Sequence, residues 1–159
     1  MLYLRLLGSA LLLLSAALAA KYMNKRAEAR VTELGGFLRL IREIRLEVDS
    51  FSLPISKIFE RIDKDIFIAC GYEGDLLPSS LEELCSAIEF KGERCQKLMF
   101  GLATDFGSGY RDEELRRLSY YEKELSDELQ RLSGELPSKK KINLTLCISA
   151  AIAIVILMI

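Results

Sequence analysis

Residues 105–132 read DFGSGYRDEELRRLSYYEKELSDELQRL, and they combine a glycine turn, an acidic cluster and a series of regularly spaced leucines. Gly107 and Gly109 permit the left-handed backbone of a tight turn, and three acidic residues follow where the positive end of a helix would lie. Leucines then recur at heptad spacing, which is typical of a helix that packs along one side. This seam comprises Leu115, Leu118, Leu125, Leu129, Leu132 and Leu136. We predict a long helix that begins at Asp112 and ends near Gly134 and Pro137.

One core position of the leucine seam is occupied by Glu122. A carboxylate at this position is either exposed at the edge of the packing or groove-facing. In the second case it sets the helix register or meets an arginine from the first helix or from another protein. Tyr120 and Tyr121 beside it are amphipathic aromatics of the kind enriched at interfaces, although ordinary half-buried tyrosines fit the pattern equally well. We single out Glu122, Tyr120 and Tyr121 as candidate partner-binding residues.

A second long helix is predicted upstream. Apolar residues recur there at spacings of four and three, and they are Phe37, Ile41, Ile44, Val48 and Phe51. No proline or glycine interrupts the chain between the N-terminal apolar run and Gly35, so this helix can continue unbroken from that run. Residues 31–50 and 112–132 would each rise about 30 Å as helices. We therefore predict that they are antiparallel neighbours.

Three short helices are predicted between the two long ones. Pro54 disfavours helix at the residue before it and can open the next helix, at residues 55–62. Residues 66–69 could extend that helix before a loop rich in glycine. Ser80 stands three residues before a glutamate, at the spacing of a capping box, and opens a third helix. A fourth begins near Gly92.

Two apolar runs lie at the ends of the sequence. Residues 142–159 carry no charge, and eighteen residues rise about 27 Å as a helix, close to the thickness of the hydrocarbon core. Residues 2–20 reach the same length if the guanidinium of Arg5 extends to the interface. We predict a transmembrane helix at residues 2–20 and a cytosolic helical bundle at 21–138. A basic flank and a second transmembrane helix follow at 139–159.

Basic residues flank both apolar runs on the side that faces the body. They are Lys21, Lys25, Arg26 and Arg30 after the first run, and Lys139, Lys140 and Lys141 before the second. Such clusters favour the cytosolic side of a membrane. They also oppose the rival interpretation of the first run as a cleaved signal peptide. We expect a two-span protein of the cell membrane whose central domain is cytosolic and whose termini both face outward.

The composition argues against metal binding and against catalysis. The chain of 159 residues has no histidine, and its four cysteines include no C-x-x-C pair, which argues against zinc and against imidazole-based catalysis. The cysteines are expected to be small buried hydrophobes. Residues 31–138 carry 14 Lys and Arg against 22 Asp and Glu, a formal charge of −8 that suits neither nucleic acid nor an anionic surface. We expect no enzymatic activity, no cofactor, no small-molecule substrate and no nucleic acid, and partners that are basic or uncharged.

The order of these features resembles a known family. The N-terminal run, the segment SFSLPISKIFERI at residues 50–62, the turn FGSGYRD at residues 106–112, the charged helix and the lysine-flanked final run resemble stage III sporulation protein AB of endospore-forming bacteria. The core also resembles half of the platform protein of type II secretion and type IV pilus machines. Pro54 matches the first turn of that pattern, and Gly107 and Gly109 match the second. The chain departs from the family in having no tryptophan and no glutamine just after the glycine turn.

The resemblance implies a function in assembly. It implies a non-enzymatic component of the secretion-like trans-envelope complex needed for endospore formation, with its helical domain on the mother-cell side. Its partners would be other membrane proteins of the sporulation complex and a secretion-type ATPase. The alternative from a different class is a membrane-anchored helical signalling or sensor protein, which would need an outer sensory domain or a regular uninterrupted coiled coil.

Overall fold

The computed structural model describes the backbone of residues 2–51, 55–107 and 109–158, and side chains within 8–50, 57–107 and 109–156. These residues form six α-helices and no strand, which confirms the all-α fold class. The helices are α1 (Leu2–Phe51), α2 (Ile55–Arg61), α3 (Lys64–Ala69), α4 (Leu81–Ala87), α5 (Glu93–Asp105) and α6 (Arg111–Met158). Pro54, predicted to open a helix, lies outside the described residues.

The chain divides into two compact units. The bundle unit is Arg30–Leu132, and the terminal unit combines Met1–Ala29 with Ser133–Ile159. These boundaries lie inside the predicted 21–138 domain, because residues 21–29 and 133–138 belong to the terminal unit. Both long helices continue through a unit boundary without interruption.

The apolar stripe predicted on the first long helix forms the centre of the bundle unit. Phe37, Ile41 and Ile44 of α1 are completely buried, and Val48 is nearly so. The other helices add Ile58 and Phe59 (α2), Phe67 (α3), Leu84 (α4), Met99 and Leu102 (α5), and Leu118 and Leu125 (α6) to the same apolar cluster. All six helices therefore share one core, and the short helices close it.

Gly36 allows α3 to approach α1 closely. A Cβ atom at position 36 would lie 2.5 Å from the carbonyl oxygen of Ala69, at the C-terminal end of α3. No side chain fits at that distance, whereas a Cβ at the neighbouring Gly35 would meet nothing within 4 Å. α1 continues through both glycines, as the sequence predicted, and only Gly36 is required by packing.

The short helices begin at polar caps. Asp63 accepts a hydrogen bond from the backbone N–H of Asp65 and opens α3, so residues 66–69 form a separate helix rather than an extension of α2. Ser80 accepts from the N–H of Glu83 at 3.1 Å, and the carboxylate of Glu83 accepts from Ser79 at 2.6 Å, as the capping-box spacing predicted. The hydrogen bonds that the hydroxyl and the backbone N–H of Ser79 donate to this carboxylate lower the pKa of Glu83.

The prediction that the last helix ends near Gly134 and Pro137 is wrong. α6 continues through both residues to Met158. A proline within a helix lacks one hydrogen-bond donor and crowds the carbonyl four residues earlier, which typically costs about 3 kcal/mol. That carbonyl belongs to Ser133, and both Ser133 and Pro137 are exposed, so water can satisfy it. The helix therefore tolerates the proline.

The terminal unit is a pair of antiparallel helix segments from α1 and α6. Nδ2 of Asn143 donates to Oδ1 of Asn24 at 3.0 Å, and Lys140 pairs with Glu28. Most large apolar side chains of this unit are exposed, in contrast to those of the bundle unit. Within the part of the chain that the structure describes, no helix is both long enough and apolar enough to cross a membrane.

Candidate functional site

The N-terminal end of α6 contacts the last turns of α1 in the bundle unit. Arg111 donates through Nε to the carbonyl oxygen of Val48 at 3.3 Å and pairs through Nη2 with the carboxylate of Asp49 at 2.6 Å. Further along α6, Glu122 meets residues that come earlier on α1. Residue numbers therefore rise on one helix as they fall on the other, so the two helices are antiparallel, as predicted.

Glu122 forms ion pairs with two arginines of α1. Its Oε1 accepts a hydrogen bond from Nε of Arg42 at 2.9 Å. Nη1 of Arg45 lies 2.7 Å from Oε2, but its orientation does not satisfy a hydrogen bond, so this second contact is an ion pair only. Both arginines are substantially exposed, and pairs of this kind typically contribute about 0.2–1 kcal/mol. The structure thus gives Glu122 an arginine partner from the first helix, and a partner-binding role stays a prediction.

The two neighbouring tyrosines differ in their surroundings. Tyr121 donates from its hydroxyl to the carboxylate of Asp105 at 3.0 Å and lies over Gly101. Burial, together with the hydrogen bond to Asp105, raises the pKa of Tyr121 to about 12. Tyr120 packs edge-on against Tyr121 with ring centroids 5.2 Å apart and is 58% exposed. Of the two tyrosines, only Tyr120 offers a free face to another molecule.

The first glycine of the turn before α6 has the predicted left-handed backbone. Gly107 has φ of 96°, a conformation that favours glycine. For Gly109 the left-handed backbone stays a prediction. Its N–H donates to Oε1 of Glu114 at 2.8 Å, and an added Cβ would lie 2.8 Å from a carboxylate oxygen of Glu113. The lack of a side chain thus lets the first-turn acids of α6 fold back over the turn.

Sequence reasoning missed a buried carboxylate on α1. Glu33 is 3% exposed, and its two oxygens accept the backbone N–H of Lys91 at 3.0 and 3.2 Å. This contact ties the segment between α4 and α5 to α1. Burial raises the pKa of Glu33 despite the opposing effects of Lys91 and Arg30. Glu33 lies four residues before Phe37 of the apolar stripe, and that spacing was the available signal that it shares the buried face.

We predict that Glu33 makes stability depend on pH. The pKa of Glu33 in the folded state is raised above its ordinary value of 4.5. Its contribution to the free energy of unfolding is therefore complete below pH 4.5, and it is lost as the pH rises through the folded-state pKa. Glu33→Gln keeps an acceptor for Lys91 and removes the charge, so it should be at least as stable as the native chain at pH 7. Glu33→Ala leaves the N–H unpaired and should lose about 1–3 kcal/mol.

Urea unfolding of the native chain, Glu33→Gln and Glu33→Ala between pH 4 and pH 8 measures both effects. The free energy of unfolding of Glu33→Gln should rise relative to that of the native chain as the pH rises. A difference in the free energy of unfolding that stays constant over this range would contradict the assignment.

The cysteines of the bundle unit are buried, as predicted. Cys70, Cys85 and Cys95 are each less than a tenth exposed, and all three are free thiols. Burial raises the pKa of the Cys85 thiol to about 12 and that of the other two further still. In the described ranges, no cluster of three or more His, Cys, Asp or Glu side chains could hold a metal ion.

The basic residues predicted to set topology have different surroundings. Arg30 belongs to the bundle unit, and the other six belong to the terminal unit. Lys139 pairs with Glu135 on its own helix at 2.8 Å, and Lys140 pairs with Glu28 of α1. Six of the seven are exposed, and only Lys140 is half-buried; the exposed ones are Lys21, Lys25, Arg26, Arg30, Lys139 and Lys141.

Comparisons of this chain with protein-family models, with curated proteins and with solved structures find no match. The resemblance seen in the sequence motifs therefore stays an expectation.

Proposed function

We propose that this chain is a non-enzymatic, membrane-anchored assembly component whose helical bundle docks other proteins at the cytosolic face. The observation that carries the proposal is the contrast between the two units. In the bundle unit the large apolar side chains, such as Leu34 and Phe37, are buried. In the terminal unit Leu18 and Leu146 are 60% and 64% exposed, and most of their apolar neighbours resemble them.

The exposed apolar side chains support anchoring in a bilayer. Large apolar side chains exposed in this number are costly in water and are common where a protein meets a membrane or a partner. In the sequence these side chains belong to the apolar runs at residues 2–20 and 142–159, and basic residues stand at the inner end of each run. In the proposed arrangement these two runs of the full sequence cross the cell membrane, the bundle unit is cytosolic and both termini face outward.

The charge of the bundle supports a protein partner. With 14 basic and 22 acidic residues between positions 31 and 138, the body would repel nucleic acid and anionic lipid. Tyr120 presents an aromatic ring that is 58% exposed on the surface of α6. Tyrosine is enriched among the residues that carry the binding energy of protein interfaces. We propose the exposed face of α6 that includes Tyr120 as the docking surface.

The resemblance to the sporulation family indicates which assembly the chain would belong to. We propose that the complex is the secretion-like assembly of endospore formation, with the bundle on the mother-cell side. The docked partners would be a secretion-type ATPase and sister membrane proteins. The acidic charge of residues 31–138 would favour partners whose docking surface is basic.

The orientation can be tested with one added cysteine. Leu76 is 82% exposed in the loop before α4, whereas the native thiols of the bundle are buried. A Leu76→Cys variant should react with a membrane-impermeant maleimide in inverted vesicles and not in intact cells, with the native chain as background control. Strong labelling of the variant in intact cells would reverse the proposed topology.

The function can be tested in an endospore-forming bacterium that carries this gene. Deletion should block spore formation, and the native chain should restore it. Tyr120→Ala should restore it poorly, because truncation of an interface anchor typically costs about 2 kcal/mol or more. Tyr110→Ala removes another exposed tyrosine, 86% exposed, and should restore spores fully. Normal sporulation after deletion would refute the assembly role.

A further inference from the structure

The terminal unit contains a cleft between α1 and α6. Its volume is about 550 Å³, within the range of small-ligand sites. α1 contributes residues three and four apart, which lie on one face of the helix, and α6 contributes two residues one turn apart. The lining residues used below include Ala17, Lys21, Lys25, Glu28, Lys140 and Leu144.

The cleft has an excess of positive charge. Three lysines and one glutamate line it, which leaves a formal charge of +2. Lys140 pairs with Glu28, and among the described residues Lys21 and Lys25 form neither a hydrogen bond nor an ion pair. Like charges one helical turn apart repel each other. An anion held between Lys21 and Lys25 would remove that repulsion, and lysine is a common point-charge ligand of phosphate.

The cleft is also amphipathic along its length. Ala17 and Ala20 precede Lys21 on α1, so apolar side chains line the end of the cleft on the side of the apolar runs. Leu144 follows Asn143, which bonds to Asn24, so it adds an apolar side chain on the opposite wall, level with the two lysines. A free phosphate ion has no apolar group that could contact these side chains. A phospholipid has a phosphate joined to apolar acyl chains, so it could contact both the lysines and the apolar side chains.

A hydrogen bond beside the cleft holds its two walls together. Nδ2 of Asn143 donates to Oδ1 of Asn24 at 3.0 Å, and Asn24 also lines the cleft. The walls are therefore fixed in register before any ligand binds.

We propose that this cleft binds the phosphate of an anionic phospholipid, with Lys21 and Lys25 as its ligands and Lys140 beside them. The inference rests on the proposed membrane anchoring. Basic clefts between helices at the cytosolic interface are suited to anionic headgroups. The bound lipid would then be a specific part of the anchored protein, distinct from the general attraction of basic flanks to a membrane.

The test uses the full chain and two variants that lose the same charge. Lys21→Gln/Lys25→Gln removes the proposed ligands, and Lys139→Gln/Lys141→Gln removes two lysines of the opposite flank that do not line the cleft. Each chain is reconstituted into vesicles of phosphatidylcholine with or without phosphatidylglycerol, and membrane insertion is read by flotation. Lipid retained after detergent extraction is then counted by native mass spectrometry.

The native chain and the Lys139/Lys141 variant should retain phosphatidylglycerol in preference to phosphatidylcholine. The Lys21/Lys25 variant should lose this preference by roughly tenfold or more, with helix content by circular dichroism unchanged. Equal loss in both variants would overturn the proposal in favour of general interfacial charge. Displacement of the lipid by millimolar inorganic phosphate would overturn it in favour of a free-phosphate site.

The two proposals fail in different ways. A native chain that inserts into both vesicles and retains no anionic lipid overturns the lipid site alone. A native chain that floats with neither vesicle overturns the anchoring and, with it, the lipid site.

Discussion

Alanine at position 36 is expected to destabilise the bundle by about 2 kcal/mol or more, whereas alanine at position 35 is expected to stabilise it by up to about 1 kcal/mol. Both positions are interior residues of α1, and both substitutions add one methyl group. At Gly36 the methyl would lie 2.5 Å from the backbone oxygen of Ala69, which cannot rotate away as a side chain could. At Gly35 it would meet nothing within 4 Å, so only the gain in helix propensity remains.

Thermal or urea unfolding of the two variants in detergent, followed by circular dichroism, measures this difference. The pair is a matched control, because helix propensity changes equally in both and cancels in their comparison. If Gly36→Ala proved as stable as Gly35→Ala, the close approach of α3 to α1 would be wrong.

The second large effect is expected at Phe37. Its ring is completely buried and stacks on Phe90 with centroids 5.4 Å apart. Phe37→Ala removes an aromatic side chain from the centre of the core, and such truncations typically cost about 3–5 kcal/mol. Since small domains are stable by only about 5–15 kcal/mol, this single change should remove much of the stability of the bundle.

Phe100 provides the matched control for Phe37. It continues the same aromatic row, 5.9 Å from Phe90, but is 40% exposed. Phe100→Ala should cost about 1 kcal/mol or less, because little apolar surface is returned to water and no enclosed cavity remains. Denaturant midpoints of the two variants provide the comparison. Similar losses of stability in Phe37→Ala and Phe100→Ala would contradict the burial of Phe37 and the exposure of Phe100.

Periodicity in the sequence was sufficient to predict the elements that depend on local pattern. The stripe that includes Phe37 and Ile41 and the capped start of α4 at Ser80 were both anticipated, because neighbouring residues within one or two turns carry the information. The antiparallel pairing of the long helices was anticipated on a different basis, the equal length of residues 31–50 and 112–132.

Other features depend on contacts that no local pattern contains. Nothing in the chain around Gly36 indicates that Ala69 will lie against it, and so the two adjacent glycines read alike in the sequence. The ion pairs of Glu122 join residues about eighty positions apart, and the alternatives for this carboxylate stayed open for that reason. Pro137 was misread because its cost depends on whether water reaches the carbonyl of Ser133, which is a property of the fold.

The ion pair between Arg111 and Asp49 has a practical consequence for protein engineering. This ion pair joins the two ends of the segment between residues 49 and 111, which contains α2 to α5. The segment therefore begins and ends at neighbouring positions in the structure. Leu76 lies in an exposed loop of that segment, and loops of this kind accept inserted sequence well. A fluorescent or affinity tag placed beside Leu76 would leave α1 and α6 unmodified, and it would allow the protein to be followed and purified.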